Sequence, residues 1–358
     1  MKIGIVTGGG DCPGLNAVIR AVAKAATKRG WETVGIIGGY EGLLPPQNFR
    51  VLDYKALDGL LVRGGTILGT ANRGRFSAKT GHGETRRLPK ELLESTRHGM
   101  EQLGIAALVS VGGDGSLTIA QQMHEHGIPV VGVPKTIDND LAATTTTFGF
   151  DSAVACATDA LDRLHTTAES HNRVLVLEVM GRYAGWIAIY AGVAGGADVI
   201  LIPEIPFRYD SICAAIAERE QKGKHFTIVI AAEGAKPAGG AFTTNGAQQA
   251  NREARLGGLG AVVAAEIERV TGKETRVMVL GHLQRGGSPT NMDRVLCTMF
   301  GAKAVELIAG RKFGRMVAHT GTTVDSVPLA EAIGQLRTVP LDSAFVHTAR
   351  DLGISLGD

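Results

Sequence analysis

The sequence predicts an α/β protein with two Rossmann-like lobes, each built on a mainly parallel sheet flanked by helices. Short apolar runs alternate with amphipathic helical patterns along most of the 358 residues, which is typical of parallel sheets. The 49 glycines cluster between apolar runs, where tight strand-to-helix turns need them. Because a single sheet rarely holds so many strands, we expect two lobes with the active site in the cleft between them.

The composition indicates a folded, soluble protein. Hydrophobic residues make up 44% and charged residues 20% of the chain, which argues against disorder. The net charge of +2, without a basic tail, gives no reason to expect nucleic acid or a membrane surface as a partner. No stretch approaches the roughly 20 apolar residues of a membrane span, and the N-terminal residues do not resemble a signal peptide.

The cysteines favour a cytoplasmic location. They lie far apart and form no C-x-x-C pair, a pattern typical of reduced thiols in the cytosol. They are Cys12, Cys156, Cys213 and Cys297.

The elements begin with a β–turn–α–β unit. Residues 2–7 predict a buried strand that stops at three glycines, and a helix follows from Leu15 with apolar residues at helical spacing. The stretch 58–87 has no clear period, and we expect a long functional loop there. Further strands, separated by helical patterns and without β-hairpins, are predicted at 33–37, 106–111, 129–133, 173–180, 198–203, 225–233 and 274–282.

The domain boundaries follow from composition. We predict a first lobe over residues 1–145, completed by a segment from about 284 to 335. A second lobe is expected over 146–283, with 336–358 as a C-terminal segment. The boundary lies near the polar run DNDLAATTTT.

Two glycine-rich turns suit the binding of phosphate. TGGGDCPGLN (7–16) and VGGDGS (111–116) each place glycines and an acid between a strand and a helix, and the amides of a helix N-terminus bind anions. The first is neither a Walker A loop nor a G-x-G-x-x-G fingerprint, which argues against a dehydrogenase; an ordinary tight turn is its alternative. In the second, Asp114 is a candidate Mg²⁺ ligand, since that ion usually takes one or two carboxylates plus substrate oxygens.

The stretch PKTIDND (134–140) combines a cation, a hydroxyl and two carboxylates after a buried strand. Asp138 or Asp140 could accept a proton from a hydroxyl, as a carboxylate does in phosphoryl transfer. Strand ends of parallel sheets collect the chemistry of α/β proteins, although a solvated polar turn would contain the same residue types.

Three later turns supply charged side chains at strand ends, namely EVMGRYAG (178–185), AAEG (231–234) and GHLQRGGSP (281–289). Arg182 and Arg285 have the fork geometry that grips phosphate. His282 is either a ligand or a histidine with an ordinary structural role.

Together these turns resemble those of the phosphofructokinase A family in order and approximate spacing, from Gly4 to about Leu296. The resemblance implies phosphoryl transfer to the 1-hydroxyl of fructose 6-phosphate, giving fructose 1,6-bisphosphate, with Mg²⁺. It makes Asp138 the base and Asp114 the metal ligand. Lipid kinases and NAD kinases share the GGDG turn, but the sugar-phosphate turns separate this chain from them. A further alternative is a non-catalytic regulatory subunit. Such a subunit would be expected to have lost the base or the metal ligand, and here Asp138 and Asp114 are both present.

The resemblance also implies roles for other residues. Groups around the transferred phosphoryl would be Lys135, Thr136, Asp140, Arg182 and Arg73. The nucleotide site would use Gly10, Arg73, Gly113, Asp114, Gly115 and Ser116. The sugar phosphate would contact Thr136, Asp138, Met180, Gly181, Arg182, Glu233, His282 and Arg285. Arg173 and Arg276 match arginines that are supplied across a subunit interface, which implies a homodimer or homotetramer.

Two positions bear on the phosphoryl donor. Gly115 is the ATP-type residue, because an Asp there would obstruct the nucleotide, whereas Lys135 resembles the pyrophosphate-dependent enzymes. We give Gly115 more weight and expect ATP, since a flexible lysine could swing aside or bind the nucleotide phosphates. Arg20 and Lys24 lie where bacterial relatives grip an effector phosphate, and the lysine predicts a weak or altered effector response.

Overall fold

The computed structural model describes residues 1–71, 74–78, 85–244 and 256–358. The chain divides into two compact units, each made of two separate stretches of sequence. The first unit contains residues 1–152 and 285–336, and the second contains 153–284 and 337–358. The C-terminal stretch, which we expected to form a segment of its own, is part of the second unit.

Strands and helices alternate along most of the described chain. The strands are β1 (Lys2–Thr7), β2 (Glu32–Ile36), β3 (Phe49–Val51), β4 (Ile105–Gly112), β5 (Val130–Pro134), β6 (Val174–Val179), β7 (Val199–Leu201), β8 (Thr227–Ala232), β9 (Thr275–Val279), β10 (Arg315–Thr320) and β11 (Thr323–Pro328). The α-helices are α1 (Leu15–Thr27), α2 (Lys90–Gln102), α3 (Asp114–Glu125), α4 (Phe150–His171), α5 (Trp186–Ala194), α6 (Tyr209–Gln221), α7 (Leu259–Thr271), α8 (Asn291–Ala309), α9 (Leu329–Ala332) and α10 (Ala344–Asp351). None of these described helices is long and apolar enough to cross a membrane.

The sheet of the first unit has the strand order β11-β10-β5-β4-β1-β2-β3. Its five central strands are parallel. Thr7 is paired with Val111, and Val111 is paired with Val133. The carboxyl ends of β1, β4 and β5 are therefore level, and the turns that follow them start at the same edge of the sheet.

The two outer strands of this sheet run antiparallel to their neighbours. The expectation that the chain contains no β-hairpin is wrong for β10 and β11, whose register closes at Thr320 and Thr323. Between them Gly321 has φ +79°, a conformation that glycine adopts without strain. The residues of β11 are exposed or partly exposed, and several of them are polar, as is common for an edge strand. The sequence of β11 therefore contains no continuous apolar run.

The predicted apolar face of α1 is buried, and it packs closely against α8. A Cβ added to Gly301 would lie 2.6 Å from Ala21 Cβ and 3.0 Å from the carbonyl oxygen of Val18. Only a glycine at this point of α8 permits that approach. The contact secures α1, and with it the glycine turn that precedes α1.

The second unit contains a four-stranded, fully parallel sheet in the order β7-β8-β6-β9. The central strands β6 and β8 are buried along their whole length, which explains their near-continuous apolar sequences. The edge strand β9 is largely exposed, and Val279 is 56% accessible. The turns after β6, β8 and β9 carry the second set of candidate site residues.

Candidate active site

Three predicted turns of the first unit meet at the carboxyl ends of β1, β4 and β5. The N–H of Gly8 donates to Val111 O at 2.9 Å, and the N–H of Lys135 donates to Gly112 O at 2.9 Å. These bonds continue the sheet into the turns. Residues separated by more than 100 positions in the sequence therefore form one surface.

The first two turns are packed around Ser116, in the first turn of α3. A Cβ on Gly8 would lie 2.5 Å from Ser116 Oγ, and one on Gly112 would lie 2.3 Å from Ser116 Cβ. Gly112 therefore leaves no room for a side chain, whereas a side chain at Gly8 would require Ser116 Oγ to rotate away. A Cβ on Gly115, in contrast, would meet no described atom within 4 Å. Gly115 thus borders open space at the N-terminus of α3, where backbone amides favour an anion.

Asp114 is the first residue of α3, and Gly113 precedes it as the helix N-cap. Its Oδ1 accepts a hydrogen bond of 3.3 Å from the N–H of Gly334. No local pattern pointed to Gly334, because it lies 220 positions away from Asp114. Asp114 also raises the pKa of Asp140 through its charge, although burial and Asp138 contribute more.

Two cations converge on the first glycine turn. Lys135 is only 4% exposed, and its Nζ donates to Gly10 O. The guanidinium of Arg285 donates to Asp11 O at 3.1 Å, and a Cβ on Gly10 would lie 3.0 Å from it. Burial lowers the pKa of Lys135, and the charge of Arg285 lowers it further, although Cys12 and nearby carboxylates oppose this. The side chain of Lys135 is thus held at the glycine turn, whereas we expected a flexible lysine that either swings aside or binds the nucleotide phosphates.

The stretch after β5 forms a compact hydrogen-bonded turn. Thr136 accepts a bond of 3.2 Å from the N–H of Asp138 and donates its hydroxyl hydrogen to Asp140 Oδ1 at 3.0 Å. Asn139 has φ +53°, and its Oδ1 accepts from the N–H of Thr147 at 3.0 Å. This turn therefore fixes the backbone at Asp138 and the carboxylate of Asp140.

Asp140 has a strongly perturbed pKa. Burial, and secondarily the negative charge of Asp138, raises the pKa of Asp140 to about 7, while the hydrogen bond from Thr136 opposes the shift. A carboxyl with such a pKa can hold a proton near neutral pH. Perturbed carboxylates of this kind are concentrated at functional sites.

The expected functional loop lies partly against this site. Asn16, buried in α1, donates to Arg63 O and Gly64 O at 3.1 Å and accepts from Ile67 N at 2.8 Å. Further along, the hydroxyl of Thr70 donates to Gly9 O at 2.5 Å. Thr70 was missed because its type and spacing form no motif, and Asn16, the last residue of the turn TGGGDCPGLN, was given no role of its own. Arg73, predicted to contact the donor, lies outside the described residues.

The turns of the second unit also lie side by side. Met180 N donates to Gln284 Oε1 at 2.7 Å, and Gly234 N donates to Gly181 O at 3.1 Å. A Cβ on Gly234 would lie 1.9 Å from Arg182 O, so this approach requires glycine. The structure therefore brings together the turns after β6, β8 and β9.

The charged residues of these turns have different surroundings. The guanidinium of Arg182 lies 5.8 Å from the ring centroid of Tyr183, a cation–π distance. Glu233 is partly buried, and its N–H donates to Val179 O at 2.8 Å. His282 is exposed in the 3₁₀ turn Gly281–Arg285. Arg285, which we grouped with His282, belongs instead to the first unit.

The two arginines predicted for a subunit interface share one acid. Arg173 Nε lies 2.8 Å from Glu274 Oε2, and Arg276 Nη2 contacts Glu274 Oε1. Arg276 lies on the edge strand β9, which also exposes Val277 and Val279, and Arg173 directly precedes the neighbouring strand β6. This edge is thus both basic and apolar.

Comparison with known proteins agrees with this arrangement. The family model described as Phosphofructokinase matches residues 2–308. An "ATP-dependent 6-phosphofructokinase" of Chloroflexus aurantiacus is 52% identical over 362 residues, covering 100% of this chain and 98% of the relative. A "Pyrophosphate--fructose 6-phosphate 1-phosphotransferase" of Amycolatopsis methanolica is 49% identical over 342 residues, covering 95% of this chain and 96% of the relative.

A solved structure supports the same assignment. Phosphofructokinase from Saccharomyces cerevisiae superimposes with a TM-score of 0.81 at 30% identity. The match covers 100% of this chain but 48% of the yeast chain, so the chain spans about half the length of that relative. On the family match and the full-length relatives together, the chain belongs to the phosphofructokinase family.

Proposed function

We propose that the protein is a glycolytic 6-phosphofructokinase that transfers a phosphoryl group from ATP to the 1-hydroxyl of fructose 6-phosphate. The observation that carries the proposal is the convergence of the three turns after β1, β4 and β5. It unites the base candidate Asp138 with the metal candidate Asp114 and the buried cation Lys135. Full-length relatives bearing the name of this activity support the reaction.

The catalysis we propose relies on positioning and charge, as is usual for phosphoryl transfer. Asp138 accepts the proton of the sugar 1-hydroxyl, whose oxygen then bonds to the γ-phosphorus as the bond to the bridging oxygen breaks. ADP leaves with that oxygen. Lys135 and Arg285, held at the Gly10–Asp11 turn, supply positive charge near the phosphates, and Thr136 keeps the two carboxylates in register.

The residues fit a Mg²⁺ ion held by Asp114. Mg²⁺ usually takes one or two carboxylates plus phosphate oxygens and water, and Asp114 would supply such a carboxylate. Burial is the main cause of the raised pKa of Asp140, and the charges of Asp138 and Asp114 add to it; a cation would relieve this repulsion between the carboxylates. When bound, the ion would neutralise charge on the phosphates.

ATP is the proposed donor because Gly115 leaves open space beside the N-terminus of α3. Pyrophosphate is the second candidate, favoured by Lys135 and by the Amycolatopsis relative. Because Lys135 is buried and bonded to Gly10, we propose that it acts on the phosphates of either donor. Rates measured with each donor at equal concentration discriminate the two, and faster turnover with pyrophosphate would overturn the assignment of ATP.

The sugar phosphate is assigned to the second unit, at the turns that carry Met180, Gly181, Arg182, Glu233 and His282. Arg173 and Arg276 are proposed to serve a second copy of the chain, in a homodimer or homotetramer. Support comes from the exposed valines around them, since an edge strand with apolar side chains is a common association surface. Sedimentation of the purified protein measures the oligomer, and an active monomer would exclude the shared site.

The cytoplasm is the proposed location, because all four cysteines are free thiols. Such thiols are typical of a reducing compartment.

The experiment that tests the proposed reaction is the substitution Asp138→Asn. We expect the wild-type protein to phosphorylate fructose 6-phosphate, and the variant to lose about 10²–10⁴-fold in kcat with little change in KM. Asp162→Asn, at an exposed site on α4, is the control and should retain activity. A variant at position 138 with wild-type kcat would remove Asp138 from its role as base.

A further inference from the structure

Gln284 connects two turns of the sugar-phosphate site, although no motif assigns it a role. It follows His282 in the 3₁₀ turn Gly281–Arg285, and its side chain is 0% exposed. Its Oε1 accepts a hydrogen bond of 2.7 Å from the backbone N–H of Met180, 104 positions away. The side chain thus reaches from the turn after β9 to the turn after β6.

Backbone hydrogen bonds align the strand ends on either side of this contact. Leu280 N donates to Glu178 O at 3.0 Å, and Glu233 N donates to Val179 O at 2.8 Å. Met180 is the first residue beyond β6, so its own N–H lies past the end of the strand. Gln284 accepts the hydrogen bond from that N–H. It therefore holds the turn after β6 against the turn after β9, just beyond the ends of the strands.

The amide nitrogen of Gln284, Nε2, indicates that the residue does more than fill space. Its Nε2 is buried and has no acceptor among the described residues. An unsatisfied buried donor is unfavourable, and an apolar side chain of similar size would fill the same volume without one. The buried Nε2 therefore makes the amide locally unfavourable. Only the hydrogen bond from Met180 N to Oε1 offsets this cost.

We propose that Gln284 is a positioning residue for the sugar phosphate. By holding Met180 N, it sets the place of Gly181 and Arg182 relative to His282. The inference rests on the proposed function, because that function assigns the phosphorylated sugar to these turns. Loss of this contact is expected to weaken binding of the sugar phosphate and to spare the donor, which is assigned to residues of the first unit.

The test uses three variants of the full chain. Gln284→Met removes the contact with little change in volume, whereas Gln284→Glu keeps an oxygen that can accept from Met180. The matched control is Gln122→Met in α3, where Gln122 Oε1 accepts from Leu88 N at 2.7 Å and Nε2 donates to Arg86 O at 3.0 Å. This control loses the same kind of bond at a place without an assigned ligand.

We expect Gln284→Met to raise the KM for fructose 6-phosphate about tenfold, the usual effect of one lost hydrogen bond at a buried group. The KM for ATP should change less than twofold. Gln284→Glu should recover most of the loss, and Gln122→Met should leave both KM values unchanged. An unchanged KM for fructose 6-phosphate in Gln284→Met, or equal shifts in both KM values, would overturn the proposal.

A second measurement separates this inference from the proposed reaction. Hydrogen exchange of the peptide that contains Met180 and Gly181, followed by mass spectrometry without substrate, reports the contact directly. Gln284→Met should exchange faster in this peptide, while Gln284→Glu and Gln122→Met should match the wild-type protein. Unchanged exchange refutes the positioning role even if the enzyme is active, and absence of wild-type activity refutes only the proposed reaction.

Discussion

Asp140 provides the most informative perturbation of the site, because its charge opposes folding. Burial, followed by the charge of Asp138, raises the pKa of this carboxyl from 3.8 to about 7. Between those two values the folded protein binds more protons at Asp140 than the unfolded chain does. Stability must therefore fall as the pH rises through this window.

The size of the effect follows from the shift. One pKa unit corresponds to about 1.36 kcal/mol, so ionisation of Asp140 in the folded protein costs about 4 kcal/mol at pH 8. Asp140→Asn removes the charge and keeps the shape of the side chain. We expect the variant to be about 2–4 kcal/mol more stable than the wild-type protein at pH 8 and to show much reduced activity, because the amide cannot replace the carboxylate.

Urea unfolding of both proteins between pH 4 and pH 8 measures this difference. The gain in the free energy of unfolding should be near zero at pH 4, increase through pH 7 and then level off. In an Asp138→Asn background the gain should shrink, since the charge of Asp138 is the second cause of the shift. A gain that does not vary with pH, or a loss of stability at pH 8, would refute the reasoning.

Three further predictions concern other parts of the first unit. Lys135→Met should lower kcat about 10²–10³-fold with either donor and raise the free energy of unfolding, because burial disfavours the ammonium whose pKa it lowers. Gly64→Ala should destabilise the fold by about 1–3 kcal/mol in urea unfolding, since its Cβ would lie 2.0 Å from Gly287 O. ADP or phosphoenolpyruvate should change the rate less than twofold, because Lys24 Nζ already lies 5.4 Å from the ring centroid of Tyr54.

Each of these predictions has its own control. Lys28→Met, at an exposed site beyond α1, should leave kcat unchanged. Gly310→Ala places its Cβ 3.6 Å or more from other atoms and should have little effect on stability. A kcat for Lys135→Met within tenfold of wild type, a Gly64→Ala protein of wild-type stability, or a strong effector response would contradict the corresponding prediction.

Much of the chemistry was accessible from the sequence because it is local. The motif PKTIDND contains both carboxylates and the threonine that bonds to one of them four positions away. The parallel strands were predicted from their apolar runs, since strands buried on both faces lack polar alternation. Their turns could be placed at one sheet edge because parallel strands all end on the same side.

Only the tertiary structure decided which distant stretches of the chain contact one another. Arg285 bonds to the carbonyl of Asp11, 274 positions away, and belongs to the first unit rather than with His282. The burial of Lys135 and the role inferred for Gln284 likewise depend on neighbours from other strands. The sequence determined which turns carry the reactive groups, because turn chemistry is local. Their partners depend on strand order and register, which no local pattern encodes.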